Sequence, residues 1–112
     1  MNSIDANEDV RVVLVTAPDE RVGREIARKI VDSRLAACVN LVPGVTSIYR
    51  WEETVHEDQE VLLLVKTRAS RCRDLEARVR DMHPYDVPEV LTLAVAGGSA
   101  AYLDWVREES SP

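Results

Sequence analysis

The chain has 112 residues, of which 46% are hydrophobic and 4% aromatic, and this size and composition fit a single domain with an aliphatic core. Its 14 basic and 20 acidic residues give a formal charge of −6, which argues against a nucleic acid or an anionic membrane as the main partner. Residues 1–9 are acidic and lack the pattern of a signal peptide. We therefore expect a disordered acidic tail over residues 1–9, then one domain over residues 10–109 of a cytoplasmic protein.

The apolar pattern predicts the order strand, helix, strand, strand, helix, strand and a terminal helix. The predicted strands are residues 10–15, 38–51, about 55–66 and 90–95, and the last of these is a continuous apolar run that predicts a buried strand. The predicted helices are residues 19–33, about 70–83 and 100–108. Pro84 ends the second helix because it disfavours helical geometry at the preceding residue. This order indicates the α+β class and the ferredoxin-like split βαβ fold (βαββαβ), with a long central hairpin and a C-terminal helix.

The central hairpin is longer than the helices that are expected to cover it. A strand of about 14 residues spans ~46 Å, whereas a helix of about 15 residues spans only ~22 Å. The projecting part carries apolar side chains, among them Val45, Ile48, Tyr49 and Trp51, and a bare hairpin is only marginally stable. We therefore expect neighbouring copies of the chain to cover it; a hairpin that bends back onto its own sheet is the alternative. The Pro-Gly pair at residues 43–44 predicts a bulge in the first hairpin strand.

The loop over residues 83–89 contains the best candidate for a chemical site. Two prolines stiffen it, and it carries the imidazole of His83 and the carboxylate of Glu89. Imidazole and carboxylate ligands suit zinc or copper, so His83 and Glu89 are candidate ligands of a weak or shared metal site. In the alternative interpretation, His83 bonds the last carbonyls of the preceding helix and Glu89 pairs with an arginine.

Other polar side chains each have two interpretations. An acidic cluster near the hairpin turn is interpreted as a solvated strand end, or else as a loose collector of divalent cations; its members are Glu52, Glu53, His56, Glu57, Asp58 and Glu60. Tyr49 and Trp51 either anchor an interface or line a ligand pocket. Lys66 either points into a cleft or extends to solvent. The two cysteines lack metal-binding spacing and predict reduced, mostly buried thiols. Because the sequence has neither a nucleotide-binding loop nor an activated nucleophile, it does not predict an enzyme.

Six segments together carry a resemblance to a known family. They are Val-Thr-Ala-Pro-Asp-Glu (15–20), Arg-Leu-Ala-Ala-Cys-Val-Asn (34–40), Pro-Gly-Val-Thr-Ser-Ile-Tyr-Arg-Trp-Glu (43–52), Glu-Val-Leu-Leu-Leu-Val-Lys-Thr (60–67), His-Pro-Tyr-Asp-Val-Pro-Glu (83–89) and Tyr-Leu-Asp-Trp (102–105). In this order they resemble the CutA divalent-cation tolerance family over about residues 10–107. The resemblance implies a cytoplasmic homotrimer of ferredoxin-like subunits associated with tolerance of copper and other divalent cations. Copper is the metal that the resemblance implies, whereas zinc is expected from the ligand types alone; no organic cofactor is expected.

The chain departs from the family pattern at three positions. Copper-binding members can have Cys where this chain has Val15, and a second His where it has Met82. Within this chain the implied metal ligands are therefore reduced to His83 and Glu89. A glycine is frequent in the family where this chain has Glu53, which predicts a different hairpin turn.

Two other functions are kept as hypotheses. The first is a signalling or binding module similar to the PII proteins, which bind small ligands between the subunits of a trimer. Its candidate ligand cleft consists of Tyr49, Trp51, Lys66 and Tyr85. The second is an enzyme that uses His83 and Lys66 in an intersubunit cleft.

Overall fold

The computed structural model describes residues 9–112, so the predicted tail lies outside the described residues except for Asp9. The elements are β1 (Val10–Ala17), α1 (Glu20–Asp32), β2 (Cys38–Trp51), β3 (Thr54–Arg68), α2 (Cys72–Met82), β4 (Val90–Ala94) and α3 (Ala100–Glu109). The strands form one antiparallel sheet in the order β2-β3-β1-β4. The predicted α+β, ferredoxin-like fold is therefore confirmed. None of the helices in residues 9–112 has the length and apolarity that crossing a membrane requires.

The two faces of the sheet have different surroundings. Successive side chains of a strand point to opposite faces, and on one face they pack against α1 and α2. The core on that side contains Val13, Val15, Ala17, Val61, Leu63 and Val65 from the sheet and Ile26, Ile30, Leu75 and Val79 from the helices. We call the other side of the sheet the open face; its apolar residues are Val12, Leu14, Val42, Leu62, Leu64, Leu91 and Leu93. Helix α3 covers only one end of the open face, where Val106 packs with Val10 and Ala37.

Strand β4 is not the buried strand that its apolar run predicts. It lies at the edge of the sheet and pairs only with β1. Its leucines point to the open face, where Leu91 is 55% and Leu93 46% exposed. The prediction is wrong for a single chain because β4 is an edge strand whose leucines lie on the open face, and on its other face only Val90 packs against the core.

The central hairpin is long and extended, as its length predicts. Strands β2 and β3 have 14 and 15 residues, and the longest dimension of the molecule is 50 Å against 27 and 23 Å for the others. The pairing shifts register between Val42 and Val45, and Gly44 between them has a φ of 75°. This confirms the bulge predicted at the Pro-Gly pair, since glycine adopts this backbone conformation without steric cost. The alternative of a hairpin folded back on its own sheet is wrong.

The hairpin turn consists of two residues rather than the three that the predicted strand bounds, 38–51 and about 55–66, leave between them. Strand β2 ends at Trp51 and β3 begins at Thr54. Glu52 and Glu53 between them both have positive φ, 50° and 67°. A two-residue turn of this kind suits the twist of the strands but favours Asn and Gly, so both glutamates adopt a backbone conformation that is unfavourable for a residue with a Cβ.

Replacing Glu53 by glycine should therefore stabilise the protein. We expect Glu53→Gly to raise the free energy of unfolding by about 1 kcal/mol, because glycine adopts positive φ without the steric cost of a Cβ. Urea unfolding at one fixed protein concentration measures the effect. Glu57→Gly, in the regular part of β3, is the matched control and should lower stability by about 0.5–1 kcal/mol. A midpoint for Glu53→Gly at or below that of the original chain would contradict the prediction.

Candidate functional site

A group of polar side chains lies at the edge of the open face, where the loop over residues 83–89 meets β3. At its centre is Glu60, a carboxylate that is only 8% exposed. The Tyr85 hydroxyl donates a hydrogen bond to Glu60 Oε2 at 3.1 Å. One strand position earlier on the same face, the Asp58 carboxylate accepts a hydrogen bond from the Tyr49 hydroxyl. We call these four residues together with Glu89 the Glu60 cluster.

His83 lies behind this cluster and is 7% exposed. Its Nε2 is 2.7 Å from the carbonyl oxygen of Thr16 in β1. A carbonyl oxygen only accepts, so Nε2 carries the hydrogen. The backbone N–H of Tyr85 donates to Nδ1 at 3.1 Å, which occupies the remaining lone pair of the neutral ring. Both nitrogens of His83 are therefore engaged within the protein, and neither is free to bind a metal ion in this arrangement.

The Glu60 cluster concentrates negative charge in a partly desolvated place. Burial, the hydrogen bond to Glu60 and the nearby carboxylates together raise the pKa of Tyr85 to about 12. Partial burial, and then the charge of Glu60, also raise the pKa of Glu89 above its usual value. Both shifts mean that this place disfavours a further negative charge. A proton or another cation near Glu60 and Glu89 would relieve the repulsion.

The structure brings together two of the four predicted ligand-cleft residues. Tyr49 and Tyr85 both bond carboxylates on the same face of β3, and the Tyr49 ring also stacks on His56 with centroids 5.4 Å apart. Trp51 is the last residue of β2 and is 46% exposed. Lys66 bonds the side chain of Asn40 and lies six positions along β3 from Glu60, which corresponds to ~20 Å. Trp51 and Lys66 are therefore not part of the Glu60 cluster.

The predicted metal ligands do not form a complete metal site in the single chain. Within residues 9–112, no group of three or more His, Cys, Asp or Glu side chains is arranged to hold a metal ion. The alternative interpretation holds only for the backbone of His83, whose N–H donates to the Val79 carbonyl of α2 at 2.9 Å. The His83 ring does not bond α2, because it bonds Thr16 of β1. The described part of the chain also contains no ion pair between Glu89 and an arginine. Glu89 instead lies near Glu60, and partial burial together with the negative charge of Glu60 raises its pKa.

Glu60 is the site residue that the sequence interpretation misplaces. The sequence groups it with the solvated acidic residues near the hairpin turn, but it is buried where the apolar run of β3 begins. Its position directly before residues 61–65 is the only signal that the sequence offers. The hydrogen bond that shows its role comes from Tyr85, 25 residues away in sequence.

The other sequence expectations have simple outcomes. Cys38 and Cys72 are free thiols, as predicted, but they are half-buried rather than mostly buried. The proposed catalytic pair of His83 and Lys66 is not assembled within one chain. His83 bonds Thr16, whereas Lys66 pairs with Val12, and these two positions of β1 are ~13 Å apart.

Comparisons with known proteins agree with this fold. The model of the CutA1 divalent ion tolerance protein family matches residues 11–109. The divalent-cation tolerance protein CutA of Thermus thermophilus is 57% identical over 99 residues, which are 88% of this chain and 96% of that protein. The human protein CutA is 50% identical over 88% of this chain, which spans 55% of the human protein's length. The chain therefore belongs to the CutA1 divalent ion tolerance protein family.

Solved structures of the family superpose closely on this chain. The structure of the divalent cation tolerance protein of Thermus thermophilus superposes with a TM-score of 0.89 at 55% identity. The superposition covers 91% of this chain and 99% of the Thermus chain. The crystal structure of CutA1 from Oryza sativa gives 0.89 at 43% identity and covers 94% of this chain and 96% of its own. The chain therefore has the same fold as these solved CutA structures.

The raised pKa of Glu89 leads to a prediction about stability and pH. The ionised form of Glu89 is disfavoured in the folded chain. The protonated carboxyl therefore contributes stability below the pKa that Glu89 has in the unfolded chain, and this contribution is lost as the pH rises through the higher pKa of the folded chain. Glu89→Gln is neutral at every pH and should therefore raise Tm at pH 7 and change it little at about pH 4. Thermal unfolding in EDTA measures this. The control, Glu57→Gln, should show a smaller difference between the two pH values. An equal or lower Tm for Glu89→Gln at pH 7 would contradict the prediction.

Proposed function

We propose that the chain acts in divalent-cation tolerance as a homotrimer whose subunits meet through their open faces. The observation that carries the assembly is the uncovered apolar surface of the sheet. Leu91, Leu93 and Val42 on this surface are 55%, 46% and 39% exposed in the single chain. A contiguous exposed apolar surface of this kind is typical of an interface. The family resemblance supplies the number of subunits.

The long hairpin gives a second reason for assembly. Strands β2 and β3 extend beyond the helices, and their projecting part carries exposed apolar side chains such as Ile48 (67%) and Val55 (58%). A two-stranded arm is marginal in water on its own. Contact with a neighbouring subunit would bury these side chains and pair or cover the free edge of β2.

Divalent cations would bind through carboxylate oxygens at Glu60 and Glu89. These oxygens are ligands for hard cations such as Mg²⁺, Mn²⁺ and Ca²⁺. A cation there would also offset the repulsion that raises the pKa of Glu89. Two carboxylates leave coordination positions to water or to a neighbouring subunit. Copper or zinc bound through His83 fits the structure less well, because both ring nitrogens already make hydrogen bonds.

A small-ligand module similar to the PII proteins is the second candidate. The paired phenols and carboxylates of the Glu60 cluster favour it, since they offer both ring surfaces and hydrogen-bonding groups. The two-residue turn between β2 and β3 argues against docking by a long mobile loop at this position. Neither candidate needs a catalytic step, an organic cofactor, a nucleic acid or a membrane partner.

A cytoplasmic location is part of the proposal. The two free thiols, Cys38 and Cys72, support it because unpaired cysteines are usual in reducing compartments. Relatives differ in this respect: the Arabidopsis thaliana protein is named chloroplastic, and the Archaeoglobus fulgidus structure is titled periplasmic.

Assembly through the open face predicts which surface substitutions separate the subunits. Leu91→Asp places a charge among the apolar residues of the open face and should convert the trimer into monomers at micromolar concentration, because buried anchors dominate interfaces. Val31→Asp, a similarly exposed valine on α1, is the control and should remain trimeric. Sedimentation velocity measures both. A monomeric original chain, or a trimeric Leu91→Asp variant, would contradict the proposed interface.

Cation binding at the carboxylate pair predicts a second set of results. Calorimetric titration of the metal-free trimer with Mn²⁺ should show weak binding, and Glu60→Gln and Glu89→Gln should each weaken it by about tenfold or more. Glu57→Gln, which removes an equal charge from the hairpin, should leave the affinity unchanged. Equal affinity in all four proteins would place the cation elsewhere. Sedimentation of the same samples separates a failure of binding from a failure of assembly.

A further inference from the structure

We infer that His83 is a positioning residue and not a metal ligand: its ring fixes the turn that directs the Tyr85 hydroxyl onto the buried carboxylate of Glu60. This inference does not depend on the proposed cation site. The inferred role differs from the metal-ligand role that the family resemblance implies for this histidine. It is supported by the hydrogen bonds of the imidazole itself.

The imidazole ring of His83 is held by a hydrogen bond at each of its two nitrogens. Nε2–H donates to the Thr16 carbonyl at 2.7 Å, and Nδ1 accepts from the Tyr85 N–H at 3.1 Å. The ring is rigid, so these two bonds fix the backbone of residue 85 relative to β1. The Tyr85 ring lies against the imidazole with a centroid distance of 4.7 Å and an interplanar angle of 51°. Both the backbone and the ring of Tyr85 are therefore set by His83.

In this position Tyr85 supplies a hydrogen-bond donor to the buried carboxylate of Glu60. The Tyr85 hydroxyl is 3.1 Å from Glu60 Oε2, and Glu60 is 8% exposed. A buried carboxylate that loses a hydrogen-bond donor is strongly destabilised. Without His83 the Tyr85 ring would be free to turn towards solvent, since Tyr85 is 37% exposed. His83 thus acts on Glu60 through Tyr85.

A metal ion that binds the His83 ring would have to displace its hydrogen bonds to Thr16 or Tyr85. A metal binds an unprotonated nitrogen, and the only such nitrogen of the ring accepts the Tyr85 amide. The two neighbouring positions where the family can place further metal ligands provide none in this chain. Val15 is completely buried on the helix side of the sheet, and Met82 packs against the same core. A site built on His83 would therefore require the turn to open.

Nuclear magnetic resonance of the original trimer tests the assignment directly. Long-range ¹H–¹⁵N spectra at pH 7.5 should show His83 as the neutral ring with hydrogen on Nε2. Titration with Zn²⁺ up to an equimolar amount should leave the His83 signals in place. The more exposed imidazole of His56, on the hairpin, is the internal control for non-specific binding. A hydrogen on Nδ1, or His83 signals that shift or broaden at lower Zn²⁺ than those of His56, would overturn the inference.

Substitutions at His83 test its bond to the Tyr85 amide separately from its bond to Thr16. They also test whether His83 acts on Glu60 through Tyr85. His83→Asn retains an acceptor for the Tyr85 amide and should keep that amide protected from hydrogen exchange, whereas His83→Ala should lose the protection. Tyr85→Phe should lower Tm by about 4 °C or more in the original chain and by clearly less in the His83→Ala background. Equal effects of Tyr85→Phe in both backgrounds would overturn the inference, because His83 would then act independently of Tyr85. His56→Ala is the matched control and should leave the effect of Tyr85→Phe unchanged.

Discussion

The uncovered apolar face of the sheet is the constraint on which most of this structure depends. Helices α1 and α2 have 13 and 11 residues and cover one face of strands that reach 15 residues. The opposite face carries leucines from three strands, and α3 covers only its end near Val10. Burial of apolar area is the main favourable term in both folding and association. The projecting hairpin and the exposed edge strand β4 therefore have one cause, which is that the helices are too short and too few to cover both faces of the sheet.

The Glu60 cluster lies where this apolar face gives way to the polar hairpin. Glu60 directly precedes the apolar residues 61–65 of β3 and is itself buried. A buried carboxylate needs compensating hydrogen bonds, and Tyr85 supplies one from the loop over residues 83–89. His83 in turn holds Tyr85 through its backbone and ring. One histidine, one tyrosine and one glutamate thus link the β1 backbone, this loop and the middle of β3.

Sequence reasoning reaches the elements of this fold more easily than the contacts of its site. The bounds of β2 and the extended geometry of His83 before Pro84 follow from local rules, and the structure agrees with both. The bond of His83 to Thr16 spans 67 residues. No local pattern contains such a contact, because it depends on how β1 and the loop meet in the folded sheet. The same reason explains the exposure of β4, since its apolar run does not show which face the helices cover.

The positions at which this chain departs from the family pattern have a defined place in this fold. Val15 occupies the helix side of β1, where it is completely buried, whereas Glu60 and Tyr85 occupy the open face. A thiolate at position 15 would therefore lie in the apolar core, and only the intervening backbone of β1 would connect it with the imidazole of His83. With valine there the core stays apolar, and the His83 ring bonds the Thr16 carbonyl of the same strand. The carboxylate of Glu60 and the hydroxyl of Tyr85 thus lie on the opposite side of the sheet from Val15. This separation follows from the alternation of side chains along a strand, which places neighbouring positions on opposite faces.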